Sequence, residues 1–301
     1  MTRAPTVDTT CPYCGVGCGL RMRTGAQSVE PSKTHPSNRG RVCVKGNALH
    51  ETLALDGRLL YPEASGRRLS WEAAINTVAD RFSGVIQEHG PDAVALYGSG
   101  QLLTEDYYVA NKLMKGFIGS ANIDTNSRLC MASAVVAHKR AFGEDVVACD
   151  YQDVEEADLV IFVGSNAAWA HPVLYQRVVA AQQQKPGQRV VVIDPRTTAT
   201  CNIAYRHLAL APGSDDWLFV GLLHWLSVHG ALDARWCQAH CDNLEAALSA
   251  AESHGSVDKV SAATGLSSEQ LVDFYRLFAR SEKVVTVFSM GINQSTNGSD
   301  K

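Results

Sequence analysis

Beyond about residue 60, apolar positions alternate between helical and strand spacing. Trp71, Ala74, Ile75, Val78, Phe82 and Ile86 recur at three- and four-residue intervals, the mark of a helix with one apolar face. Ser70 stands where an N-cap belongs, and Gly90-Pro91 stops the run. Ala93 to Tyr97 then reads as a buried strand, and a second helix is predicted from about Thr104 to Phe117, with Gly119 just past its end. Downstream, Leu159 to Val163 and Arg189 to Ile193 are further strands, with a helix between them that Pro172 opens and Lys185-Pro186-Gly187 closes. Ser267-Ser268-Glu269-Gln270 is a capping-box pattern for a helix through about Ala279, and Val284 to Phe288 is the last strand. Strands alternating with helices imply parallel sheets covered on both faces, so the expected fold is α/β.

In such sheets, ligands bind beyond the carboxyl ends of the strands. Four loops fall there: Gly98-Ser99-Gly100-Gln101, Gly164-Ser165-Asn166, Asp194-Pro195-Arg196-Thr197 and Met290-Gly291-Ile292-Asn293-Gln294. They are small, polar and suited to nucleotide contacts. None is a G-x-G-x-x-G fingerprint, because position 103 is Leu, and no Walker A motif, H-E-x-x-H or G-x-S-x-G elbow occurs.

Before residue 60 the chemistry is different. Cys11, Cys14, Cys18 and Cys43 have the pattern C-x2-C-x3-C-x24-C. Three local ligands and one remote ligand favour an iron–sulfur cluster, while structural zinc tends to take two local pairs; from spacing alone, a four-thiolate zinc site stays open. Gly15, Gly17 and Gly19 keep side chains out of the loop and let backbone N–H groups approach inorganic sulfide. Lys45 follows the fourth cysteine by two positions; such a lysine is ordinarily a solvated surface group, and the alternative beside a cluster ligand is a bridge from the cluster to a second cofactor.

A fifth cysteine, Cys130, lies in a stretch where Ser127 is the expected N-cap of a helix running to about Phe142. A helix N-terminus favours thiolate, the form that binds a soft metal; the alternative is a buried apolar thiol. Cys149 and Cys201 read as ordinary buried thiols. Cys237 and Cys241, near His240, could share a helix face, but no further ligands stand at familiar spacing. The acidic group Asp153, Glu155, Glu156 and Asp158 reads as a solvated turn.

Composition narrows the classes. The 301 residues are 46% hydrophobic and 19% charged, with a formal net charge of −4, enough for buried cores over roughly two domains. Neither a basic footprint for nucleic acid nor a run for a membrane surface is present. The apolar run Trp217 to Val228 is too short to span a bilayer, and the first ten residues hold no apolar signal core, so a cytoplasmic location is expected. Nine cysteines in a reducing compartment read as ligands and thiols, not disulfides.

Together these segments resemble the molybdopterin oxidoreductases of the dimethyl sulfoxide reductase superfamily, and within it the catalytic subunits of assimilatory nitrate reductases. The resemblance is carried by the Cys11–Cys18 loop, by residues 37–46, by Asn126 through Val135, by Gly164 through Pro172 and by Met290 through Ser295. It implies a small N-terminal iron–sulfur domain (1–60), the first part of a discontinuous Rossmann-like α/β domain (61–135) and a second such domain (136–301) with mostly parallel sheets. It implies a [4Fe–4S] cluster on Cys11, Cys14, Cys18 and Cys43, and molybdenum held by two molybdopterin guanine dinucleotides, with Cys130 as the protein ligand and Lys45 on the electron route. Dinucleotide contacts would fall on Gln101, Asn126, the loop with Gly164, Ser165 and Asn166, the loop with Asp194, Arg196 and Thr197, Gly213-Ser214-Asp215, Met290 and Gln294.

The implied reaction is reduction of nitrate to nitrite, with ferredoxin or an NADH-linked flavoprotein as donor. Met131 after Cys130 argues against a formate dehydrogenase, where histidine is typical. Cys130 and the intact strand-end loops argue against a non-catalytic electron-transfer subunit. Family subunits are much longer, so this chain is expected to be an N-terminal part, inactive alone. Ala170 stands where the assimilatory group commonly has cysteine. No particular cation is assigned to steer nitrate; Arg128, close to Cys130 in sequence, reads as structural.

Overall fold

Strand β1 (Thr6–Thr10) turns through the Cys11–Cys18 loop into β2 (Gly19–Arg23), and β3 (Val29–Pro31) pairs on the far side of β2, all antiparallel. The computed structural model describes residues 5–23, 25, 28–126 and 130–301. A single helical turn, α1 (Val44–Asn47), begins just after Cys43. The chain forms two compact units: Met1–Asn47 with Ser133–Lys301, and Ala48–Ala132.

Within the Ala48–Ala132 unit, β4 (Glu63–Ala64) and β5 (Arg67–Arg68) form a tight hairpin. Ser65 and Gly66 both take positive φ there, 51° and 73°, the geometry that a two-residue hairpin turn requires. Helix α2 (Trp71–His89) starts as its pattern predicts, with the Ser70 side chain accepting from the Ala73 N–H. Gly90, at φ 85°, ends it. The expected strand over Ala93 to Tyr97 starts late: Pro91 locks a 3-10 turn over Pro91–Ala93, and β6 covers only Leu96–Gly98. Helix α3 (Thr104–Asn111) passes into π-helical turns over Lys112–Ile118, which Gly119 caps in the left-handed region. Strand β7 (Ile123–Thr125) pairs parallel with β6. The apolar face of α2 is largely exposed; among this unit's described residues only Val94, Met114 and Ser120 are buried. Amphipathic spacing fixes the helix but does not name its partner.

Cys130 is helical, Met131 is not, and α4 (Ala132–Phe142) begins one residue later. The expected cap Ser127 and the neighbouring Arg128 lie outside the described residues. Helix α5 (Tyr151–Glu156) leads into β8 (Leu159–Val163). The short turn α6 (Ala167–Ala170) and α7 (Pro172–Gln184) cross to β9 (Arg189–Ile193), then β10 (Arg206–Leu208). Five helices follow: α8 (Asp215–Val228), α9 (Ala234–His240), α10 (Leu244–His254), α11 (Val257–Thr264) and α12 (Ser268–Arg280). Strand β11 (Val284–Phe288) and the turn α13 (Met290–Asn293) come last.

These strands make one parallel sheet in the order β10-β9-β8-β11. Every residue of β8 is buried, and so is β9 after Arg189, as continuous apolar runs require when both faces are covered. On one face Leu159, Ile161, Val191 and Ile193 join a core with Leu218, Phe274 and Tyr275 from α8 and α12. The chain moves from β8 outward to β9 and β10, then returns to add β11 on the other side of β8. That reversal makes a topological switch point between β8 and β11.

Candidate functional site

The hairpin register sets the cysteine loop. Thr10 faces Gly19 across β1 and β2, and the Cys11 N–H donates to the Cys18 carbonyl at 2.8 Å, so the first and third cysteines close the loop's base. Gly17, at φ 62°, makes the turn between Cys14 and Cys18, and its N–H reaches the Cys14 carbonyl at 3.2 Å. Gly19 permits a close approach: a Cβ there would lie 2.3 Å from the His35 ring. The fourth cysteine arrives with α1, where Gly46 packs so closely that a Cβ would sit 3.5 Å from the Cys11 sulfur.

The four thiols share one electrostatic environment. Burial, reinforced by Cys11, Cys14 and Cys43, pushes the Cys18 thiol up to about 11, and burial raises Cys11 too. Yet among the described residues no three His, Cys, Asp or Glu side chains close up enough to hold one metal ion. Four thiol donors, three on one hairpin loop and the fourth just before α1, are nonetheless the soft donor set that an iron–sulfur cluster takes. Lys45 is half-buried beside this group; its ammonium acts on Cys11 and, on the other side, lowers the proton affinity of His171, which burial has already reduced.

The strand-end loops after β8, β9 and β11 are stitched together. Gly164, at φ 54°, lies against Gly291 at the switch point: a Cβ on Gly164 would come within 2.9 Å of Gly291 backbone, and the Gly291 N–H donates to the Gly164 carbonyl at 3.1 Å. Thr200 donates to Asn166 at 3.0 Å and accepts from the Ala168 N–H. Asp194 is buried and accepts from the Arg196 N–H at 2.8 Å, while the Arg196 side chain extends into solvent, 77% exposed. After β10, Gly213 takes φ 89°, and Ser214 and Asp215 are buried, with Asp215 facing the Lys301 ammonium at 3.4 Å. Met290 and Gln294 share one turn through the Gln294 N–H and Met290 carbonyl.

The hydroxyls of Ser165 and Thr198 are buried without a hydrogen-bond partner. Orphaned donors in a glycine-lined cradle at a switch point suit a polar, nucleotide-like ligand. In the other unit, Gln101 and Asn126 follow the parallel strands β6 and β7 at their carboxyl ends. A Cβ on Gly100 would meet the Asn126 amide oxygen at 2.5 Å, and the Cys130 N–H donates to the Asn126 carbonyl at 3.0 Å. Cys130 is exposed.

Several site-supporting residues left no mark in the sequence. Tyr151, Glu155 and Arg177 reach the cysteine domain from α5 and α7. The acidic group is solvated as expected at Asp153, Glu156 and Asp158, but it lies on and just past α5 and is paired: Glu155 with Arg39 and Arg177, Glu156 with Lys283, and Asp158 with Lys185. His240 packs its ring on Trp236 at 5.1 Å.

A set of four mutually interacting thiols, in one unit with a switch-point cradle suited to a nucleotide-like ligand, fits the class of iron–sulfur α/β proteins with a second, organic cofactor. Residues 4–54 match the molybdopterin oxidoreductase Fe4S4 domain, and residues 58–301 match the molybdopterin oxidoreductase model; the chain belongs to that family. It is similar to a nitrate reductase of Klebsiella oxytoca, 58% identical over 97% of this chain and 34% of the relative. It is also similar to a nitrate reductase of Shewanella frigidimarina, 46% identical over 98% of this chain and 32% of the relative. The chain therefore spans about a third of the length of these two relatives. Acetylene hydratase from Pelobacter acetylenicus shares the fold, with a TM-score of 0.85 at 20% identity over 97% of this chain and 41% of that one. No helix among the described residues is long and apolar enough to cross a membrane.

Proposed function

We propose that this chain is a cofactor-holding part of a molybdenum-dependent nitrate reductase, which converts nitrate, two electrons and two protons into nitrite and water. The observation that carries the reaction is the 58% identity to a nitrate reductase along nearly the whole chain. Cys11, Cys14, Cys18 and Cys43 hold a [4Fe–4S] cluster, and Cys130 is the protein's ligand to molybdenum. When bound, the cluster supplies one-electron transfer and the molybdenum centre supplies two-electron oxygen-atom exchange.

The chain's own residues bind and orient. Gly164 and Gly291 clear the backbone for close approach, and the Ser165 hydroxyl offers an unused donor. Asp194, Thr197, Gly213, Ser214, Asp215, Met290 and Gln294, with Gln101 and Asn126, hold the two molybdopterin guanine dinucleotides. The solvent-facing guanidinium of Arg196 is suited to a diphosphate. Lys45 carries its charge on the thiol side of the route from cluster to cradle. The same proposal places the protein in the cytoplasm in nitrate assimilation, taking electrons from ferredoxin or an NADH-linked flavoprotein; a reducing compartment suits its nine thiols.

The test uses the full-length protein with reduced viologen as donor. Iron, molybdenum and nitrite formation are expected together. Cys130→Ala drops nitrite formation to background and leaves the iron content intact. Turnover that survives the substitution rejects Cys130 as ligand, and a wild-type protein without molybdenum rejects the reaction.

A further inference from the structure

The spacer between the second and third cysteines is Gly15-Val16-Gly17, a segment with little of its own to hold it. Val16 is buried, whereas a Cβ on Gly15 would meet nothing and Gly17 is left-handed. Two side-chain hydroxyls nonetheless reach the three spacer carbonyls, the single Tyr151 proton being shared between two of them. The Tyr151 hydroxyl, at the first position of α5, is 3.1 Å from the Gly15 carbonyl and 3.1 Å from that of Val16. The Ser37 hydroxyl donates to the Gly17 carbonyl at 2.8 Å.

Both donors are held in turn by Arg177. Its guanidinium lies 5.1 Å over the Tyr151 ring and donates to the Ser37 and Pro36 carbonyls at 2.7 and 2.8 Å. Arg177 is 1% exposed, and Glu155 balances its charge at 2.7 Å. Glu155 lies on the same short helix as Tyr151, so one element supplies both the hydroxyl and the counter-charge.

We propose that Tyr151 is a positioning residue for the iron–sulfur cluster: braced by Arg177, its hydroxyl fixes the spacer between Cys14 and Cys18 and so tunes the cluster's reduction potential and lifetime. This rests on the reading that the four cysteines hold the cluster. In a planar trans peptide the N–H points opposite the carbonyl. Holding the carbonyls of Gly15, Val16 and Gly17 therefore orients the N–H groups of Val16 and Cys18 and supports that of Gly17, which already rests on the Cys14 carbonyl. Hydrogen bonds and dipoles around the sulfurs are among the factors that set a cluster's potential. A hydroxyl proton directed at this loop favours the more negative, reduced state.

The experiment is Tyr151→Phe in the anaerobically purified full-length protein, read by potentiometry with electron paramagnetic resonance and by iron release to a ferrous chelator. The expected result is wild-type iron on isolation, a more negative midpoint potential and release about 2- to 10-fold faster, the range that one hydrogen bond spans. Arg177→Lys keeps a charge under the ring and loses the guanidinium fork; it is expected to shift both readouts the same way, and it carries the test if Tyr151→Phe does not fold. Iron release that rises with the potential unmoved makes Tyr151 a folding contact only and overturns the proposal, as does no change in either. A wild-type protein that holds zinc or no iron fails the cluster reading itself, whatever Tyr151 does.

Discussion

Asn38 is fully buried, and its amide behaves like a length of neighbouring strand. Its oxygen accepts from the Gly19 N–H at 2.9 Å, and its nitrogen donates to the Gly19 carbonyl at 3.0 Å and the Arg41 carbonyl at 2.8 Å. One side chain thus ties the residue after Cys18 to the segment that delivers Cys43. The Gly19 carbonyl also accepts from the Ser32 N–H at 2.9 Å, so Asn38→Ala strands two backbone groups, the Gly19 N–H and the Arg41 carbonyl, and is expected to cost about 2–4 kcal/mol. A lower urea midpoint at unchanged slope, with iron lost at lower denaturant, is the signature; a midpoint within about 0.5 kcal/mol of wild type would assign those backbone groups to water instead. In the sequence Asn38 stands out only as part of the resembling segment 37–46, because its partner Gly19 is 19 residues away. Arg177 is equally silent, with carbonyl partners 140 and 141 residues distant. The cysteines were legible because ligand chemistry needs one residue type at short spacing.

At the scale of elements, Asp158 joins the lower ends of three strands. Its backbone exchanges hydrogen bonds with Lys283, before β11, and with Arg189 of β9. Its carboxylate accepts from the Lys185 ammonium at 2.6 Å and from the Lys283 N–H at 3.1 Å. These bonds, Lys185 first, hold the carboxyl below its ordinary 3.8. A lowered native pKa means the tie contributes fully above 3.8, fades as pH falls from there, and is gone below the native value. Asp158→Asn is therefore expected to flatten the acid limb of the urea midpoint, measured from about pH 6 down to about pH 3. An acid limb as steep as wild type would place the sensitivity on other carboxylates. Strands β8, β9 and β11 fall where their apolar runs predict; β8 and most of β9 are covered on both faces, while β11, at the edge, leaves Thr286 and Phe288 exposed. Strand β6 does not, because Pro91 sets a 3-10 turn that apolar pattern cannot register.

Across the whole molecule, the sequence order of the cofactor segments says little about which meet. The unit that holds the cysteine loop also holds the parallel sheet, with 85 residues of the other unit, Ala48–Ala132, inserted between them in sequence. That return of the chain sets Lys45 within electrostatic reach of both Cys11 and His171, the residue that follows the β8 loop and α6. A surface lysine kept only for solubility has no need of two such neighbours. Lys45→Met keeps the aliphatic stem and removes the charge, so packing changes little while the attraction that Lys45 would offer an electron on the proposed route is lost. Iron and pterin contents of the full-length variant are expected to match wild type, while nitrite formation from a donor that enters at the cluster falls by more than about tenfold, a barrier change near 1.4 kcal/mol. Lys45→Arg, which restores the charge, recovers much of the loss. If iron, pterin and turnover fall in proportion, Lys45 is a binding residue; if turnover holds without the charge, the electron path runs elsewhere.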